Sequence, residues 1–312
     1  MYSKENTTFL YLGSSELSSR LFEYLINEGF KFKALVCQPD KPSKRGNKLH
    51  ECATKIVAKK YGIPIYDPAK LRLEHSFVNE FEVDVLLCFA YGQIIPNEVL
   101  NFPKLECFNI HPSLLPKYRG ASPIFEQLKN GDEKCGVTLM KMIDKLDAGR
   151  IFDVKNLNVS KEMYLEEFEE KILEAAKNLC EVSLFKVLNK EIEGVGQIEE
   201  NATFCSKVSN EIEHIDLSEN INIIFNVARA IGEKVGSYVV DENGKRIKFK
   251  KLNFCNLIHN PNELFFINKK LYFSNFKGEC LEVCKIQLEG KNVVDAASFL
   301  NGYSSKLPLK IF

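Results

Sequence analysis

The stretch CFNIHPSLLPKYRG, residues 107–120, is followed by a short helical pattern and then by MIDKLDAG, residues 142–149. Asn109 and His111 are two positions apart, so at the end of a strand running through Phe108 both side chains leave the same face of a sheet. Pro112 has no N–H to give to a ladder, which ends the strand there and places the pair at its carboxyl end, where open α/β sheets bind ligands. Asp147 lies in a Leu-Asp-Ala-Gly loop whose Gly149 permits a tight bend. A neutral donor, a titratable donor and a carboxylate on neighbouring connections form a set that can stabilise an oxyanion and handle a proton. The same Asn-x-His pair could also do no more than cap a loop, and the surrounding residues have to decide.

Outward from this stretch, strand-like and helix-like patterns alternate. Phe9 to Leu12 is an apolar run ending at Gly13; Leu21, Phe22 and Leu25 give a helical face; Lys33 to Gln38 is the next strand. This βαβ opening raises a dinucleotide site, but GSSELS (13–18) lacks the second and third glycines that admit a pyrophosphate, which argues against a nicotinamide cofactor. Helical patterns over Glu51 to Tyr61 and His75 to Phe81 flank a short strand at Ile63 to Tyr66. Val83 to Phe89 is a buried-strand run, Val137 to Met142 and Ile151 to Val159 are further strands, and a long amphipathic helix runs from Leu165 to about Leu188. The alternation predicts a doubly wound α/β domain over residues 1–190.

Residues 191–208 begin rich in Glu and Gly and read as a linker. Over 209–312 the chain is dominated by short β-like runs: Val235 to Val240, Lys245 to Leu252, Leu264 to Ile267, Lys270 to Phe273 and Glu282 to Leu288. Asp241 to Gly244 and Asn268-Lys269 supply hairpin turns, and a small five-stranded barrel fits. Alternation points Ile247 and Phe249 inward and Arg246, Lys248 and Lys250 outward.

The 312 residues suffice for two domains, and 45% hydrophobic residues allow a sizeable core. The 42 basic and 42 acidic residues cancel, so no polyanionic partner is implied by the whole chain. From Ile223 to Phe312, however, 14 Lys and Arg face 8 Asp and Glu, which points mildly to a nucleic-acid contact in the second part. The ten cysteines include no Cys-x-x-Cys and mostly stand singly in apolar runs; they read as reduced, buried thiols with no metal role. No signal core or run of about 18 apolar residues occurs. The expectation is a cytoplasmic protein without membrane association, acting as a monomer.

NIHPSLLPKYRGASPI (109–124) together with LDAG (146–149) resembles the signature of the folate-dependent formyltransferases, and the resemblance to the methionyl-tRNA formyltransferases within them extends over nearly the whole chain. It implies a Rossmann-like formyl-transfer domain joined to an OB-like barrel, 10-formyltetrahydrofolate as formyl donor without a metal, and methionyl initiator tRNA as partner. Carried over by position, Asn109, His111 and Asp147 are expected to be catalytic, with Asn109 and His111 on the oxyanion and Asp147 paired to His111. AYGQIIP (90–96) resembles the loop lining the folate pocket. Phe89, Tyr91, Gly92 and Ile94 are therefore expected at the pterin, Gly92 letting backbone approach a flat ligand, with Ser113, Leu114, Leu115 and Pro116 lining the same pocket.

The loop QPDKPSKRGNK (38–48) carries four basic residues and one acidic residue and resembles the loop that enters the acceptor arm of the tRNA. Lys41, Lys44, Arg45 and Lys48, with Arg246, Lys248 and Lys250 of the barrel, are expected to contact tRNA. The family's aromatic and proline-rich run after its Arg-Ala pair is replaced here by RAIGEKVG (229–236), and the chain has no Trp. Two other functions fit parts of the pattern: a sugar-nucleotide N-formyltransferase, and a tRNA-binding protein without catalysis.

Overall fold

A computed structural model describes residues 1–42 and 49–312. The chain divides into two compact units. One comprises Met1–Pro123, Lys134–Asn158 and Glu169–Cys205; the other comprises Ile124–Glu133, Val159–Phe168 and Ser206–Phe312.

The first unit is built on a seven-stranded sheet. Its strands are β1 (Thr8–Leu12), β2 (Lys31–Val36), β3 (Ile65–Tyr66), β4 (Val85–Cys88), β5 (Glu106–His111), β6 (Lys134–Lys141) and β7 (Ile151–Asn158), in the order β7-β6-β5-β4-β1-β2-β3. From β3 across to β5 the pairing is parallel. β6 then adds antiparallel to β5, and β7 antiparallel to β6, a direction that apolar periodicity does not encode. Central strands covered on both faces must be apolar throughout. In β1, Leu10 and Leu12 join a core with Val36, Leu86 and Cys88. On the opposite face Tyr11 stacks on Phe22 at 4.5 Å and Phe9 meets Phe30 at 5.3 Å.

Helix α1 (Glu16–Asn27) starts with the Ser15 hydroxyl accepting the Ser18 N–H. Gly13 is fixed by crowding: a Cβ there would meet Ser18 Oγ at 2.0 Å and the Phe89 carbonyl at 2.9 Å. The next helix, α2, spans Ala53–Tyr61, and the helical pattern at His75 to Phe81 is a single 3-10 turn over Ser76–Asn79.

The second unit carries an antiparallel sheet of β8 (Ser237–Val240), β9 (Arg246–Ile258), β10 (Glu263–Ile267), β11 (Lys270–Ser274), β12 (Glu279–Leu288) and β13 (Leu309–Lys310), in the order β8-β9-β12-β11-β10-β13, with Val294–Asp295 on β12. All five anticipated runs are strands, and β9 is longer than expected. Asn268 and Lys269 both take positive φ, at 51° and 63°, as a two-residue hairpin turn requires. The sheet's outer strands meet at one end, where Val240 and Phe312 exchange backbone hydrogen bonds of 2.9 and 2.8 Å. A helix over Ile221–Ile231, not expected from the sequence, lays Ile224, Phe225 and Ala228 on the sheet's core. Deep in this unit, the guanidinium of Arg229 donates to the carbonyls of Leu128, Ser160 and Met163 and to the Asn226 side chain.

Candidate active site

β5 delivers Asn109 and His111 at its carboxyl end, with Asn109 beside Cys88 of β4 and His111 opposite Thr138 of β6. Their common face is turned to Asp147. Asn109 Nδ2 lies 3.4 Å from Asp147 Oδ1, and His111 Nδ1 lies 3.7 Å from Asp147 Oδ2. The three residues anticipated as catalytic therefore converge.

The imidazole is held from behind. His111 Nε2 lies 2.8 Å from the carbonyl oxygen of Tyr118. A carbonyl can only accept, so Nε2 carries the hydrogen and Nδ1 is the nitrogen presented to Asp147. His111 is buried and Asp147 mostly so, with 4% and 11% of their side-chain surface exposed. Asp147 Oδ2 also accepts the Gly120 backbone N–H at 2.8 Å. Asn109 Nδ2 has two hydrogens, and its single long contact to Asp147 leaves donor capacity for a developing oxyanion.

The turn that presents Asp147 is tight. Asp147 has φ of 48°, in the left-handed region that non-glycine residues seldom occupy. A Cβ at Gly149 would come 1.9 Å from the Lys141 carbonyl, so only glycine fits there. Beneath the turn lies a group that sequence reasoning did not find. Gln197 Nε2 donates at 2.8 Å to both the Asp147 and the Gly149 carbonyls. Gln197 Oε1 accepts from Arg119 Nε and Nη2 at 3.1 and 2.8 Å. Arg119 has no exposed surface, and its Nη1 pairs with Glu199 at 3.0 Å. These partners come from the segment read as a linker, whose Phe204–Cys205 pairs with Arg119–Gly120 and whose Val195 bridges to Ile151. Their spacing in sequence, some 80 residues from Arg119 to Glu199, leaves no local signal.

The residues expected at the folate divide by depth. Phe89 and Tyr91 are core side chains, while Gly92 and Ile94 form the exposed part of their loop. Gly92 has φ of 82°, and a Cβ there would meet Gln38 Nε2 at 2.5 Å. Gln38 Nε2 itself donates to the Tyr91 carbonyl at 2.7 Å, and the Ala90 carbonyl accepts the Ser14 N–H. The Tyr91 hydroxyl is buried with no hydrogen-bond partner among the described residues, and burial pushes its ionisation well up. Ser113 donates to the Lys117 carbonyl at 2.7 Å, and Thr138 Oγ1 donates to the Ser113 carbonyl at 2.6 Å, so Ser113 holds the Leu114–Pro116 turn. Leu114 packs on Gly136.

Of the basic set, Lys44, Arg45 and Lys48 lie outside the described residues, and for Lys41 only the backbone is described. Arg246 is exposed, its guanidinium 4.5 Å over the Tyr238 ring. Lys248 is paired with Glu213 at 3.1 Å. The outward alternation fails at Lys250: the register shifts between Phe249 and Lys251, and Lys250 is 8% exposed with its ammonium on the carbonyls of Lys234 and Val235. Among the described residues no group of three His, Cys, Asp or Glu could hold a metal ion, and no helix is long and apolar enough to cross a membrane.

Residues 6–182 match the family model described as formyl transferase, and residues 207–304 match that of the formyl transferase C-terminal domain. Methionyl-tRNA formyltransferase of Thermotoga neapolitana is 32% identical over 94% of each chain, and that of Lactobacillus johnsonii is 33% identical over 96% of each. Among solved structures, WlaRD, a sugar 3N-formyl transferase crystallised with dTDP and 5-N-formyl-THF, is similar with a TM-score of 0.66 at 17% identity, covering 92% of this chain and 99% of its own. At that identity the likeness speaks for the fold.

Proposed function

We propose, from the premise that this chain belongs to the methionyl-tRNA formyltransferase family, that it transfers the formyl group of 10-formyltetrahydrofolate to the amino group of methionyl initiator tRNA for translation initiation. The observation that carries the assignment of the chemistry is the convergence of Asn109, His111 and Asp147 at the carboxyl end of β5.

The donor supplies an already activated formyl group. The amine nitrogen attacks the formyl carbon, a carbon–nitrogen bond forms, and the bond to the folate nitrogen breaks as that nitrogen takes up a proton from water, which balances the proton the amine gives up. Asn109 donates to the oxygen that gains charge. His111, anchored at Nε2 by Tyr118, presents Nδ1 to the reacting groups. Asp147 takes up the amine proton on its way to water. The exposed loop at Gly92 and Ile94 and the turn at Leu114 and Pro116 form the folate pocket, with the Tyr91 hydroxyl as a donor still to be satisfied.

The sheet of the second unit is read as an OB-like tRNA-binding domain. Arg246 is its exposed cation on β9, Lys248 adds charge offset by Glu213, and Lys250 shapes the strand from within. Lys41, Lys44, Arg45 and Lys48 supply the remaining phosphate contacts.

An acceptor comparison tests this reading. The purified protein is given 10-formyltetrahydrofolate with methionyl initiator tRNA, free methionine or an amino-sugar nucleotide. Formylation of the tRNA alone, with a KM for tRNA that rises steeply with salt, is expected. Formylation of the sugar nucleotide alone overturns the acceptor, and folate binding without any product overturns the chemistry.

A further inference from the structure

We infer that Gln197 is a positioning residue for Asp147, held in its working orientation by Arg119, so that a segment beyond β7 completes the active site. The inference rests on the reading of Asp147 as catalytic.

Asp147 sits in a strained left-handed conformation, which persists only where its surroundings over-determine it. Besides the Gly120 N–H on its carboxylate, the backbone of the turn is held by one side-chain amide. Gln197 Nε2 takes the carbonyls of Asp147 and Gly149 together, both at 2.8 Å, closing the turn across its two ends. An amide can flip, and a flipped Gln197 would set its oxygen against two carbonyls. Arg119 forbids this, because Nε and Nη2 both donate to Oε1. Arg119 is fully buried, and its charge is met by Glu199. Glu199 also receives Lys145 Nζ at 2.6 Å. Lys145 lies two residues before Asp147, so the relay from Lys145 through Glu199, Arg119 and Gln197 returns to the turn it started from. A site held this way keeps Asp147 in register with His111 and Asn109 in every catalytic cycle. Small displacements of such a group cost rate and leave substrate affinity intact.

The test compares Gln197→Ala, Gln197→Glu and Asp147→Asn in the full-length protein, with melting temperature as the folding control. Both Gln197 variants are expected to lose kcat by about 10- to 100-fold with KM for folate and for tRNA unchanged. Gln197→Glu keeps the Arg119 contact and lacks the donor while ionised. Its protonated form has one O–H to give, so its kcat relative to the parent recovers as pH is lowered, and that of Gln197→Ala does not. Should Gln197→Ala fail to fold, the pH-dependent recovery of Gln197→Glu alone carries the test. Normal kcat in a folded Gln197 variant, or a Gln197→Glu deficit independent of pH, overturns the inference. An active Asp147→Asn instead overturns the catalytic reading beneath it.

Discussion

The backbone N–H of Gly120 donates to Oδ2 of Asp147 at 2.8 Å, so the chain that ends the opening stretch grips the carboxylate of the other half of the motif. Gly120 has φ of 120°, and a Cβ on it would fall 2.2 Å from the Cys205 carbonyl. Gly120→Ala therefore disturbs the pairing with Cys205 and the carboxylate at once. A loss of about 1–3 kcal/mol in denaturant unfolding is expected from the strain, together with a fall in kcat. An alanine variant with parental stability would show that the backbone at this point yields easily.

Asn109 is half-buried and its amide is spent on one long contact. Truncation to alanine removes a donor without opening the core. Asn109→Ala is expected to lower kcat by about 10²–10³-fold, roughly 3–4 kcal/mol of barrier, while melting temperature stays close to that of the parent. Steady-state kinetics at saturating folate and tRNA check this, and near-normal turnover would remove Asn109 from the oxyanion site.

The hydrogen bond from Arg119, and after it that from Lys145, holds the Glu199 carboxyl below the ordinary glutamate value of 4.5. A carboxyl lowered by folding adds stability above its unfolded pKa and loses it as pH falls through the lower folded value. The melting-temperature difference between the parent and Glu199→Gln is thus expected to be constant above about pH 5 and to shrink as pH drops through and below the ordinary glutamate range. A difference that grows on acidification would contradict the assignment of the shift to these two cations.

Arg229 is 1% exposed and serves three backbone carbonyls. Methionine in its place fills much of the volume and removes the charged donor from those carbonyls, of which Leu128 and Ser160 keep the N–H groups of Gly131 and Met163. Arg229→Met is expected to destabilise the second unit by about 3 kcal/mol, given the loss of several buried hydrogen bonds from a charged donor. Unfolding followed in this unit measures it, and an unchanged midpoint would mean that other groups satisfy the carbonyls.

Much of this was legible in residues 107–149, because a two-residue period and a terminating proline are local facts: they put Asn109 and His111 on one face. Apolar runs likewise marked β1, β4 and the hairpins of the second unit. Strand direction was not legible, since β6 and β7 look alike whether parallel or antiparallel. The helix over Ile221–Ile231 was hidden because its closely spaced Ile and Phe residues also suit a strand. The bulge that turns Lys250 inward breaks the alternation on which its outward placement depended. Gln197 and Glu199 reach the site only through contacts across some 50 to 80 residues, which no local pattern announces.

The most direct measurement is single-turnover transfer of labelled formyl from 10-formyltetrahydrofolate to methionyl initiator tRNA by the parent protein and by Asp147→Asn, with tRNA binding measured alongside. Rapid labelling of the tRNA by the parent, and transfer slowed by about 10²-fold or more in the variant at unchanged tRNA affinity, is the predicted result. No label on the tRNA with the parent, or transfer at the parental rate in Asp147→Asn, would contradict it.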